Sequence, residues 1–277
     1  MTEVTKQKFS VAMSVYKNDN SIDFVDAVFS IFNQTCPPDE IVLVIDGPIP
    51  LVLQSSIDTL KAQVGILKIV PFVENRGHAA ARQAGLDNAR NELVAIMDSD
   101  DIAEPNRFEV QLKLMEEHPD VTVIGSIINE FIGKPENVVS TRDVPEKDEE
   151  IKEYLKSRCP MNLQTVMYRK SKVMEVGGFI DWYCEEDYYL WIRLALAGHK
   201  FYNYQKSLVN VRVGEDMYQR RGGKKYFKSE ARLQKYMLNH KLISLSKYAY
   251  NVLIRWIVQV AMPNKMRSWV FQTFARR

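Results

Sequence analysis

Four short apolar runs in the first hundred residues, each stopping at a polar turn, constrain the fold more than any other feature. FSVAMSV (9–15) runs into Tyr16-Lys-Asn-Asp-Asn, and EIVLVID (40–46) runs into Gly47-Pro48. LKIVPF (67–72) stops before Asn75-Arg-Gly77, and ELVAIMD (92–98) ends in Asp98-Ser-Asp100-Asp101. Between the runs, apolar residues keep helical spacing, as in Ile22, Val25, Val28, Phe29 and Phe32 within 21–35, and 78–89 is Ala-rich. A helix over 105–118 would open with Pro105 near its first turn, a favoured place for proline. Near-continuous apolar strands alternating with helices predict an α/β fold with a mostly parallel central sheet covered on both faces. Ligands of such sheets sit beyond the carboxyl ends of the strands. Tyr16, Asp46, Asn75 and Asp98 all fall at such ends, so one edge should gather them.

After Ile132 the pattern loosens. Residues 134–153 read as charged loop, 163–169 as a strand, and Lys172–Val176 as a short helix before Gly177-Gly178. Glu186 to Ala197 reads as a helix stopped by Gly198, and 200–213 as a strand. The polar stretch 214–225 follows. Three widely spaced cysteines, Cys36, Cys159 and Cys184, argue against a disulfide scaffold and a zinc site and fit a reducing cytosol. The N-terminus carries no apolar run, so no signal or transit peptide is expected.

Several residues could carry chemistry, each with a plainer alternative. Asp98-x-Asp100 offers hard carboxylate oxygens suited to Mg²⁺ or Mn²⁺ on a diphosphate, or else forms a capping cluster for the helix after Pro105. Glu185-Glu186-Asp187 at a helix start is either a favourable charge–dipole arrangement or the seat of a general base. Asp46 either caps a loop or accepts a hydrogen bond from a nucleobase N–H. Arg82 is either a solvated charge or an anion contact. His78 and His199 read as structural, since no metal-ligand spacing joins them. There is no nucleophile elbow and no phosphate-binding Gly-Lys-Ser/Thr loop.

Taken together, these segments resemble glycosyltransferase family 2 over roughly residues 8–215. The resemblance rests on Ser14-Val15-Tyr16, SIFNQT before EIVLVIDG, and Asn75-Arg-Gly-His-Ala-Ala-Ala-Arg82-Gln-Ala-Gly85. It continues through MDSDD (97–101), GGF (177–179) and EEDYYLWIRLALAG (185–198). It implies a GT-A fold and an inverting, metal-dependent transfer of a sugar from a nucleoside-diphosphate sugar, with UDP the expected nucleotide. The donor-binding residues it implies are Ser14, Tyr16, Asp46, Asn75, Arg82 and Asp98. It also implies Asp100 with Asp98 as metal ligands, Asp187 with Glu186 as the catalytic pair, and Trp191 and Arg193 as supports of that helix. Two departures stand out. Gly47-Pro48-Ile49-Pro50 replaces the usual continuation after Asp46, and no histidine follows Arg212, so a phosphate contact there falls to Arg212, Arg220 or Arg221. Gly214–Gly223 reads either as a lid over the diphosphate or as a solvated loop.

Charge divides the chain into a domain over 1–224 and a segment over 225–277. From Lys225 to Arg277 there are eleven Lys/Arg and one acid, Glu230. Tyr248 to Met262 is apolar apart from Asn251, Arg255 and Gln259, which extend Lys247 into one narrow polar stripe. At about 22 Å such a helix is too short to span a bilayer. After Pro263, Met266, Trp269, Val270 and Phe274 lie among Lys265, Arg267, Arg276 and Arg277. This pattern predicts amphipathic helices on an anionic membrane surface. The expected location is therefore cytoplasmic, peripheral on the inner face of the cell membrane, near a glycan or lipid-linked acceptor. A flap on the catalytic domain or a homo-oligomer interface is the competing reading; nucleic acid would leave the apolar face unexplained. The rival functions are a sugar-nucleotide pyrophosphorylase, whose Gly-rich, Lys-bearing loop is missing, and an inactive membrane-surface module.

Overall fold

The computed structural model describes residues 7–214 and 223–262. Strands β1 (Phe9–Val15), β2 (Glu40–Ile45), β3 (Leu67–Pro71) and β4 (Leu93–Ile96) pair in parallel in the order β3-β2-β1-β4. All residues of β2 and β4 are buried, as a sheet covered on both faces requires. The two-residue period of a strand sorts their side chains. Phe9, Val11, Met13 and Val15 join a core with helix α1 (Ser21–Phe32) and helix α2 (Leu51–Gln63), whereas Ala12, Val94 and Ile96 join the opposite core with helix α3 (His78–Asn88). Helix α1 starts where Asn20 accepts hydrogen bonds from the Ile22 and Asp23 amides.

The second half of the sheet is mixed. A two-residue strand, β5 (Ile102–Ala103), and helix α4 (Arg107–Glu117) lead into β6 (Val121–Phe131). Next come β7 (Val138–Arg142), helix α5 (Asp148–Leu155), a 3₁₀ turn (Leu163–Thr165), β8 (Met167–Arg169) and helix α6 (Lys170–Glu175). Helix α7 (Glu186–Leu196) then precedes β9 (Lys200–Arg212). The sheet continues β4-β8-β6-β9-β5, with β8 antiparallel to β4 and β6, β7 antiparallel to β6, and β9 parallel to β6.

The expected charged loop at 134–153 is thus partly regular. Its short helix α5 is half acidic and buries only Ile151 and Leu155, too few positions to show a period. The single strand expected over 163–169 divides into the 3₁₀ turn and β8.

Helices α8 (Lys224–Asn239) and α9 (Leu245–Trp256) pack together, and a π-helical turn (Ile257–Ala261) follows. Helix α9 begins three residues before the apolar run that starts at Tyr248. Among the described residues no helix is long and apolar enough to cross a membrane. Arg220, Arg221, most of the expected lid and the amphipathic piece after Pro263 lie outside the described residues.

Candidate active site

The carboxyl ends of β1, β2 and β4 meet at one edge. At β2, Asp46 organises the loop leading into α3. Its Oδ2 accepts from Asn75 Nδ2 (2.9 Å) and the Gly77 amide (3.0 Å), and its Oδ1 accepts from the Arg76 amide (2.6 Å). The loop-capping alternative for Asp46 is therefore realised, and Asn75 is part of it. Gly47 holds this arrangement together: its φ is +85°, and a Cβ there would lie 2.5 Å from the Asn75 nitrogen.

At β1, the Tyr16 amide donates to Asp19 Oδ2 (3.0 Å), which also receives Ser99 Oγ (3.0 Å). The Tyr16 ring lies edge-on to His78, centroids 6.4 Å apart. Ser14 lines a narrow crevice with Arg82 and Asp98. The acids after β4 divide their work. Asp101 is 2% exposed and accepts the Arg212 amide (2.9 Å), whereas Asp98 faces the cleft and Asp100 is exposed. The capping alternative does not hold, because Asn106 precedes α4 and none of these acids caps it. Arg212 is heavily engaged, with Nε donating to Asp100 O (3.1 Å), Nη1 to Gly133 O (2.9 Å), and Nη2 at 3.2 Å from Asp23 Oδ1. Burial, then the charges of Asp98 and Asp19, push the Asp100 carboxyl up to about 6. Burial likewise raises Asp19.

Three consecutive acids at the start of α7 meet different surroundings: Glu185 precedes the helix in a non-helical conformation, and Glu186 and Asp187, successive on the helix, point 100° apart. Glu185 is buried, and that burial, then Glu230 and Asp187, push its carboxyl well above the usual range. Glu186 is bonded to Arg82 Nη1, and Arg82 Nη2 lies 3.7 Å from Asp98 Oδ1. Asp187 has no cationic partner within salt-bridge distance among the described residues. Its Oδ1 accepts the Tyr188 amide (2.6 Å), and the Cys159 thiol lies 3.8 Å from its Oδ2. Burial and the Asp187 carboxylate raise the Cys159 thiol well above its ordinary range. Trp191 is wholly buried and anchors α7 in the core, while Arg193, whose Nη2 donates to Gly178 O (2.6 Å), ties the helix to the 177–179 turn.

His78, Arg82, Asp98, Glu186 and Asp187 line a cleft of about 630 Å³, whereas Ser14, Tyr16, Asp46, Asn75, Asp100 and Arg212 lie outside its lining. His78, Arg82 and Asp98 form one wall; Trp182, Tyr183, Glu186 and Asp187 form another. Ile128, Glu130, Arg142 and Gln164 bring in the antiparallel half of the sheet. Sequence reasoning missed Asp19, Glu130, Arg142, Gln164 and Trp182. Only Asp19 carried a local signal, since it belongs to the polar turn after β1. Among the described residues no group of three or more His, Cys, Asp or Glu is arranged to hold a metal ion.

A family model described as "Glycosyl transferase family 2" matches residues 10–179. The Escherichia coli UDP-Gal:alpha-D-GlcNAc-diphosphoundecaprenol beta-1,3-galactosyltransferase is 34% identical over 270 residues, covering 98% of this chain and 97% of that protein. The amylovoran biosynthesis glycosyltransferase AmsE of Erwinia amylovora is 34% identical over 264 residues, covering 95% and 98%. Among solved structures, S. aureus TarS 1-349 in complex with UDP-GlcNAc aligns with a TM-score of 0.63 at 16% identity, over 96% of this chain and 76% of that one. The mannosyltransferase PcManGT from Pyrobaculum calidifontis, in complex with GDP-Man and Mn2+, aligns with a TM-score of 0.60 at 14% identity, over 95% and 72%. These two structures share the architecture described above.

Proposed function

We propose a reaction for this chain, which belongs to glycosyltransferase family 2: inverting transfer of a sugar from a nucleoside-diphosphate sugar to a hydroxyl of a lipid-linked or membrane-proximal glycan in polysaccharide biosynthesis. The E. coli relative, whose name specifies a UDP-sugar donor and a diphosphoundecaprenol-linked acceptor, supports UDP and a lipid-linked acceptor here. The observation that carries the mechanism is the contrast between neighbours on α7. Glu186 is held by Arg82, while Asp187 faces the same cleft with no salt-bridge partner among the described residues. Asp187 is thus the carboxylate available to take the acceptor's proton.

As that proton moves to Asp187, the acceptor oxygen bonds to the anomeric carbon from the face opposite the diphosphate. The bond to the diphosphate oxygen breaks, its electron pair leaves with the nucleoside diphosphate, and the configuration inverts. Arg82, placed between Glu186 and Asp98, holds the two walls in register. Asp98 and Asp100 fit a hard divalent cation, Mn²⁺ or Mg²⁺: both carboxylates reach open space, and diphosphate oxygens and water would complete the coordination. The cation supplies neutralisation of the leaving group's charge.

For the base, Asp46 Oδ1 accepts one hydrogen bond and keeps capacity for a nucleobase N–H, with Asn75 bonded to Asp46 and Ser14 and Tyr16 at the end of the adjoining strand. Arg212, Arg220 and Arg221 are assigned to the phosphates. Residues 1–224 form the catalytic unit and 225–277 a helical segment at the cytoplasmic face of the cell membrane. A pyrophosphorylase or an inactive module fits the cleft and the family less well.

The test is incubation of the purified chain with a panel of nucleotide sugars and a soluble analogue of a lipid-diphosphate sugar acceptor. Release of nucleoside diphosphate with a β-linked product from an α-linked donor is expected. Absence of transfer from every donor would overturn the reading.

A further inference from the structure

Surface helices ordinarily bury an apolar stripe and give a polar one to water. Helix α9 does the reverse. Asn251 is 3% exposed, and its Nδ2 donates to Lys156 O and Gln234 Oε1, both at 2.8 Å. Arg255 Nε pairs with Glu230 Oε2 at 3.2 Å, and its Nη2 donates to Ser157 O at 2.6 Å. Gln259, in the following turn, is bonded to Glu230 as well. The polar stripe thus faces the protein. Facing outward are Tyr250, Leu253, Ile254 and Ile257 at i, i+3, i+4 and i+7, with Trp256 beside them; Leu253 is 55% and Trp256 47% exposed. A contiguous apolar stripe of this size marks a contact surface.

Charge identifies the partner. Lys224, Lys225, Lys228, Arg232, Lys235 and Lys241 are all exposed, and no acid follows Glu230 to the end of the chain. A two-fold dimer through α9 would bring two such basic segments together. The chain's own residues 263–277 add four more Lys/Arg and no acid, so they cannot neutralise this charge.

We infer that the outward stripe of α9 rests on an anionic lipid bilayer. The helix lies in the headgroup region, its 12 residues being about 18 Å long and too short to cross. The polar stripe serves as the fastening that turns the apolar one outward. Through α8 the same helices hold the acceptor wall. Trp182 Nε1 donates to Ser229 O (3.2 Å), Ser229 Oγ donates to Tyr183 O (2.6 Å), and Lys225 Nζ lies 3.8 Å from the Tyr183 ring centre. Docking on α9 therefore fixes the cleft relative to the membrane surface. This inference deepens, and rests on, the reading of a lipid-linked acceptor.

Flotation of the full-length chain tests it, using vesicles of phosphatidylglycerol and phosphatidylethanolamine against vesicles of phosphatidylcholine alone. Wild type should float with the anionic vesicles and much less with the neutral ones. Leu253→Glu/Ile254→Glu should partition at least about tenfold more weakly, the scale of losing one or two buried apolar side chains. Its melting temperature and its transfer to a soluble acceptor analogue should be unchanged. Equal flotation of variant and wild type, or no flotation of wild type, would overturn the inference. So would a dimer that the double substitution dissolves while wild type fails to float. Transfer to the soluble analogue without flotation removes only the lipid surface; flotation without transfer from any donor removes the enzymatic reading and leaves the surface.

Discussion

The Arg82 guanidinium joins two acids that lie far apart in the chain, bonding to Glu186 at the start of α7 and standing 3.7 Å from Asp98 at the end of β4. Both Arg82 and Glu186 are mostly buried, so removing the cation strands a carboxylate. Arg82→Leu should destabilise the fold by roughly 3 kcal/mol and lower turnover. Arg82→Lys should recover only part of either, because a single ammonium cannot reproduce the guanidinium fork. Glu186→Gln keeps a hydrogen-bond acceptor for Arg82 and should lose less than about tenfold in rate, about 1.4 kcal/mol. Thermal melts and steady-state kinetics of the three variants check this ordering.

Asp100, proposed above as a metal ligand, also has a stability readout. Its carboxyl titrates near 6 in the folded protein, against about 4 for an unfolded aspartate. The folded state therefore binds this proton more tightly, and stability falls as pH rises from about 4 to about 6. Asp100→Asn removes that loss. In chelator the variant should melt above wild type at pH 7, with the difference shrinking towards pH 4. It should also lose Mn²⁺-dependent affinity for nucleoside diphosphate. Melts at the two pH values and calorimetry with and without Mn²⁺ read both effects, and equal metal-dependent affinity in variant and wild type would rule out the ligand role.

Gly47→Ala should break the nucleotide edge. The new Cβ would meet the Asn75 backbone at 2.5 Å in a left-handed conformation, so the 75–77 loop must move off Asp46. A melting loss equivalent to about 1–3 kcal/mol and weaker nucleotide binding are expected. An unaltered melting curve with wild-type affinity would show that the loop and Asp46 are not coupled as described.

The parallel half of the fold and its acidic edge were legible because each buried strand must end where the chain turns polar, as at Ile45-Asp46 and Ile96-Met97-Asp98. The antiparallel half was not. Strand β8 has three residues and α5 two buried anchors, so neither leaves a period. The arrival of Arg142 and Gln164 at the cleft depends on pairings and turns that no local pattern specifies. The stripe of Asn251, Arg255 and Gln259 was visible, but its inward direction was not. That direction follows from Lys156, Ser157, Glu230 and Gln234, which lie 17 to 98 residues away in sequence. Likewise, the residue pattern alone did not separate the three acids at 185–187, and only the resemblance singled out Glu186 and Asp187; Arg82 beside Glu186 and Glu230 beside Glu185 give each its own surroundings.

The central claim is that Asp187 is the base, and Asp187→Asn tests it most directly. The amide has nearly the size of the carboxylate and cannot take the acceptor's proton. Turnover measured as nucleoside-diphosphate release with saturating donor and acceptor should fall about 10²–10⁴-fold. Donor affinity should persist, and the melting point should move by no more than a helix-end charge allows, at most about 1 kcal/mol. A variant that binds donor, melts like wild type and turns over at the wild-type rate would contradict the account.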